Sequence, residues 1–137
     1  MKLQMKLMVK LRPELIARKA KDSNEKALRH LGGFVRKIAQ RSMRKRAGAA
    51  PPGRPPHAHG ERPGIRPDII YQYDPITKSV VIGPHTGKIV PELHEFGGTR
   101  RNRKYPERPY MHPALKKGIP AFKAKYAKEF NRNWKFG

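Results

Sequence analysis

Apolar and polar residues alternate over the first eleven positions. Met1, Leu3, Met5, Leu7, Val9 and Leu11 fall on one side and mostly Lys and Gln on the other, with Met8 the exception. A period of two predicts a half-buried strand. From Glu14 to Arg46 the period lengthens to that of a helix. Leu28, Leu31, Val35, Ile38 and Met43 recur at spacings near three and four, and Leu31, Phe34 and Ile38 share one broad face. Pro13 suits the first helical turn, where its missing N–H costs nothing. Asp22 or Ser23 is placed to cap a second helix start inside the run, with Glu25 or Lys26 in its first turn. Gly32-Gly33 costs about 1 kcal/mol per residue relative to Ala, so the pair predicts a bend or the close approach of another backbone. The opposite face carries Arg29, Arg36, Lys37, Arg41, Arg44 and Lys45.

Residues 46–67 break the periodicity. Ala47 to Pro67 holds six Pro and four Gly in 21 residues, which excludes a helix or a central strand and predicts a long extended loop. Alternation resumes at Asp68, with Ile69, Tyr71 and Tyr73 in phase. Asp74-Pro75-Ile76-Thr77 is a turn signal and Lys78 to Gly83 a short apolar strand, so the two runs predict a β-hairpin. Val90 to Phe96 suits a short helix ended by Gly97-Gly98. Arg100, Arg101, Arg103 and Lys104 form a basic tip, and Tyr105 to Met111 is expected extended because of Pro106 and Pro109. A C-terminal helix opens at His112-Pro113, kinked or restarted at Pro120. Phe122, Tyr126, Phe130 and Trp134 line one side of it, a spacing that belongs more often to a core than to a stacking platform. The expectation is one α+β domain over residues 1–137: a small antiparallel sheet packed against a long N-terminal helix, with a C-terminal helix over 112–137 and a long Pro-rich loop over 46–67.

Charge adds what periodicity cannot. Lys and Arg total 32 against 10 Asp and Glu, a formal net charge of +22. Residues 1–47 hold 15 basic and 3 acidic side chains and residues 100–137 hold 12 and 2, whereas residues 68–99 hold 2 and 4. Two basic ends flank a nearly neutral middle, a field that attracts polyanions or acidic protein surfaces. Leu, Ile, Val and Phe make up 27 of the 137 residues, which predicts a small core completed by partners. Without cysteine there is no disulfide, no thiolate metal site and no Cys nucleophile. No apolar run has membrane-spanning length, and Lys2, Lys6 and Lys10 interrupt the N-terminus where a signal peptide would be apolar. The reading is a soluble protein of a reducing cytoplasm.

Little of the remaining chemistry is catalytic. Glu92, His94 and Glu95, with His85, are a metal or acid–base temptation, but no ligand-spacing motif supports it; charge complementarity at a helix start is the plainer reading. His57-Ala58-His59 sits in the Pro-rich loop, a poor frame for a preformed site. No Gly-rich phosphate loop precedes a helix, and Ser23, Ser42 and Ser79 lack a nucleophile-elbow context. No cofactor, metal or enzymatic activity is expected. Nucleic-acid binding, as in a ribosome- or nucleoid-associated protein, is the chemical alternative, since the basic helix face, the Arg100–Lys104 tip and the C-terminal lysines can each neutralise phosphates.

Two segments carry a resemblance. Glu95, Phe96, Gly97 and Thr99 match an E-F-G-T element, with Gly98 inserted. Arg108, Pro109, Tyr110, Pro113, Ala114 and Leu115 match A-R-P-F-x-x-P-A-L, with Tyr for Phe. Together with the P-P-G-x-P-P-H loop at Pro51–His57 and a hairpin ending Val81-Ile82-Gly83-Pro84, the chain resembles the tail-completion and neck proteins of tailed bacteriophages, a head–tail joining family. It departs from the T-G-x-L-x-x-S-I segment of many relatives, carrying Gly60 to Pro67 there instead. The resemblance implies a non-enzymatic virion protein, assembled in the host cytoplasm, that forms a homo-oligomeric ring beside portal-side connector and tail-tube proteins. It implies subunit or partner contacts at Pro51, Pro52, Arg54, Pro55, Pro56, His57, Phe96, Gly97, Arg108, Pro109, Tyr110 and Pro113. The basic residues Arg100, Arg101, Arg103 and Lys104 become candidates for contact with genome DNA in a channel.

Overall fold

The computed structural model describes residues 12–58, 65–85 and 90–132. In chain order these form α1 (Pro13–Ser42), α2 (Ile65–Asp68), β1 (Ile69–Asp74), β2 (Ser79–Pro84), α3 (Val90–Phe96), β3 (Gly98–Arg100), β4 (Arg103–Tyr105) and α4 (Met111–Asn131). A long N-terminal helix, a two-stranded antiparallel sheet and a C-terminal helix make an α+β arrangement. The strand expected over residues 1–11, His59 and Trp134 all lie outside the described residues.

The helix α1 runs unbroken, and this corrects two expectations. No second start occurs at Asp22 or Ser23; Ser23 is instead buried within the helix. Nor does Gly32-Gly33 interrupt it. What approaches is a side chain rather than a backbone: a Cβ on Gly32 would lie 2.4 Å from Cδ2 of Tyr71, so the bare glycine makes the seat for that ring. The helix ends at Ser42, four residues short of Arg46, and Ser42 Oγ donates back to the carbonyl of Ala39 at 2.7 Å.

The apolar face of α1 supplies Leu31, Val35, Ala39 and Met43 to a core completed by Ile69, Tyr110 and Ala114. The β1–β2 hairpin covers one side of that face, with Ile69 and Tyr73 buried and register pairs Tyr71↔Ile82 and Tyr73↔Val80. Its turn is fixed by Asp74. One carboxylate oxygen accepts from the Ile76 N–H at 2.8 Å and the other from the Thr77 hydroxyl at 2.7 Å, which together hold the Asp74 pKa below its ordinary value. The Arg36 side chain donates to the Ile69 carbonyl at 2.7 Å and Gln40 to the Arg66 carbonyl at 3.1 Å, tying α1 to the chain entering β1. Ile65–Asp68 is a single helical turn, so the last residues of the Pro-rich stretch are not extended as expected.

The helix α4 packs along α1 on the other side of the core. Gly118 lets them close: a Cβ there would meet Val35 Cγ2 at 2.6 Å and Leu31 Cδ1 at 2.8 Å. Pro120 lies inside α4 without ending it, so the helix does not restart there. Phe122, Tyr126 and Phe130 form a half-buried aromatic column, with centroids 6.3 and 6.0 Å apart and Phe122 against the core. Near its end the buried Glu129 meets Lys125 at 2.8 Å and Lys26 of α1 at 3.7 Å. The Lys125 hydrogen bond, and then the surrounding cations, lower the Glu129 pKa against the effect of burial.

Candidate functional site

The two motif segments meet at the start of α4. Tyr110 stands at the N-cap with no side-chain cap of its own. A helix start leaves its first N–H groups without partners. Here Glu95, from the last turn of α3, takes them all. Its Oε2 accepts from the N–H of Tyr110 at 2.9 Å and of Met111 at 3.0 Å, and its Oε1 from the N–H of His112 at 2.8 Å. The next residue, Pro113, has no N–H to satisfy. The carboxylate also sits at the positive end of the α4 dipole. Sequence reasoning placed Glu95 in a charge role at a helix start, but the helix is α4 and not its own.

Arg108 draws in the Pro-rich loop. Its backbone N–H donates to the His94 carbonyl at 2.6 Å and its Nε to the carbonyl of Ala50, also at 2.6 Å. One residue earlier, the Glu107 carbonyl accepts from the N–H of Gly53 at 2.8 Å. Ala50 and Pro56 are buried, and Ala58 returns to donate to the Arg44 carbonyl at 3.0 Å. The first half of the loop is therefore docked on its own domain. His57 uses its Nδ1 on the Gly48 carbonyl. Burial, and then the Arg108 cation, push the His94 pKa down, which favours the neutral ring at this junction.

The expected contact residues divide by exposure. Pro51, Pro52, Arg54 and Phe96 are exposed; Pro55, His57, Gly97, Arg108, Pro109 and Pro113 are half-buried. Pro56 and Tyr110 are buried in their own chain and offer nothing to a neighbour, which corrects their placement among surface contacts. The Tyr110 hydroxyl is pushed up to about 12 by burial and by Glu95. Gly97 has φ +68, and a Cβ there would crowd the Tyr105 carbonyl at 3.0 Å, so the E-F-G turn requires glycine.

Beside this junction lies an apolar groove of about 730 Å³ between β2, α3 and α4. Val80, Ile82, Pro109, Met111 and Leu115 are among its lining residues, and Glu95 and Glu107 are the carboxylates of that lining. Phe96 at 75% exposure, Val81 at 68% and Leu115 at 40% leave much of that surface uncovered. Sequence reading did not find the groove, because it joins residues from three elements. Among the described residues no group of three metal-ligating side chains is assembled, and both Glu95 oxygens are committed to backbone donors.

The basic tip is more ordered than its sequence suggested. β3 and β4 form a second hairpin, with Arg100↔Arg103 as its last pair and Arg101-Asn102 as its two-residue turn. Arg101, Asn102, Arg103 and Lys104 are exposed. None of its four cations forms a salt bridge among the described residues. No helix described is long and apolar enough to cross a membrane. The comparisons with known proteins add no relative: no family model, no curated protein and no solved structure matches the chain.

Proposed function

We propose that this chain is a non-enzymatic structural protein of the tailed-phage virion neck, forming an oligomeric ring that completes the tail and joins it to the head connector. The observation that carries this reading is the Glu95–Arg108 junction. The two segments that resemble the neck family are the two that clamp each other, through Glu95 on the Tyr110–His112 backbone and Arg108 on His94 and Ala50. The junction shapes rather than reacts, and it presents Phe96, Val81 and Leu115 outward beside the apolar groove. Apolar surface of this kind suits a protein neighbour. A closed ring supplies one, since each subunit offers one patch to a different patch on the next.

Quantitative peptide mass spectrometry on purified particles, run beside ribosome and nucleoid fractions, tests the reading. A low, fixed copy number relative to the major capsid protein is the expected result. Absence from particles with enrichment on ribosomes or nucleoids would overturn it. The Phe96→Glu variant is expected to stay folded and fail to enter particles.

A further inference from the structure

We infer that the β3–β4 hairpin is a sequence-independent contact for the phosphates of duplex DNA. Two local rules are broken at one place. Arg100 and Arg103 stand directly opposite each other across the strand pair, where like charges repel. The turn then places Arg101 at φ +48 and Asn102 at φ +59. Two-residue turns of this left-handed kind favour Asn, Asp or Gly, and an arginine at the first position holds its charge there against that preference. Local conflicts without internal compensation mark function rather than folding. No carboxylate pairs with these cations among the described residues.

The hairpin is also anchored next to its base. Gly97 turns the chain into β3, and immediately after β4 the segment Glu107–Arg108 is pinned to Gly53, His94 and Ala50. Opposed residues of an antiparallel pair project from the same face. Arg100 and Arg103 thus form one cationic face, with Arg101 at the tip and Lys104 on the reverse. A two-stranded ribbon is narrow enough to enter the major groove of duplex DNA. Guanidinium forks suit phosphate oxygens. Phosphate contacts position a protein without reading sequence. This inference does not depend on the neck reading, since it concerns one hairpin and one ligand.

The test must separate the hairpin from the general positive charge of the chain. Binding of the full chain to a fluorescent duplex is measured by anisotropy across a salt series, for the native chain and two variants. The hairpin variant carries R100Q, R101N, R103Q and K104Q; the control carries K116Q, K117Q, K123Q and K128Q and loses the same charge from α4. Each phosphate contact contributes about 0.9 to the log–log salt slope. The hairpin variant is expected to flatten the slope by about 3 to 4 units and weaken binding about tenfold or more at physiological salt, with the control changed much less. Equal loss in both variants would overturn the inference in favour of diffuse charge. So would unchanged DNA binding accompanied by loss of binding to polyglutamate, which would make the hairpin an acidic-protein contact. R101N suits the turn better than arginine does, and circular dichroism of both variants checks that they are folded.

Discussion

Glu95 reaches from one helix to the start of another because nothing at the start of α4 can do its work. Positions 109–112 are Pro, Tyr, Met and His, none of them a good N-cap. That gap was legible in the sequence; the donor of the missing acceptor was not, because residue 95 reaches the helix only through the tertiary turn at Gly97. Glu95→Ala removes two carboxylate oxygens that accept three hydrogen bonds and leaves the part-buried N–H groups of Tyr110 and Met111 unpaired. It is expected to lose about 1–3 kcal/mol in urea denaturation, with the denaturant slope unchanged. The glycines repeat the lesson. Gly32-Gly33 signalled a bend or a neighbouring backbone from sequence alone; the fold shows instead the ring of Tyr71.

At the scale of elements, the pairing of α1 with α4 carries two predictions. Gly118 faces Val35 and Leu31 so closely that an added methyl must displace those side chains or the helices that carry them. Gly118→Ala is expected to destabilise the chain by about 1–3 kcal/mol, and combining it with Val35→Ala to cost less than the sum of the two changes, as a double-mutant cycle in thermal unfolding will show. Glu129 ties the same helices electrostatically. Its folded pKa lies below its ordinary value, so its contribution is present above that value and is lost as pH falls through the folded one. Thermal unfolding from neutral to acid pH should therefore show an acid-dependent loss that is smaller in Glu129→Gln. The long helices α1 and α4 and the first hairpin were readable because their periods run over enough residues, whereas the single turn of α2 was not. The β3–β4 hairpin was read only as a basic tip, because its strands are three residues long and its turn lacks the Asn-Gly signature.

Across the whole molecule, a net charge of +22 works against compactness and against close packing of identical copies alike. Salt should relieve part of that repulsion. The unfolding temperature is expected to rise by a few degrees between about 50 and about 500 mM sodium chloride, where screening becomes strong; a fall would show that specific ion pairs outweigh the self-repulsion. Beside the Lys26–Glu129 ion pair, five polar ties between distant parts of this chain share one further property. Arg36, Gln40, Arg108 and Glu95 each grip backbone, at Ile69, Arg66, Ala50 and Tyr110–His112, and Lys19 likewise holds the Arg132 carbonyl. A main-chain partner is the same whatever residue carries it. Each tie therefore constrains the alphabet at one position and leaves the other end to drift, so no paired substitutions record it. Two chains can share this architecture while little in their alignment betrays the kinship.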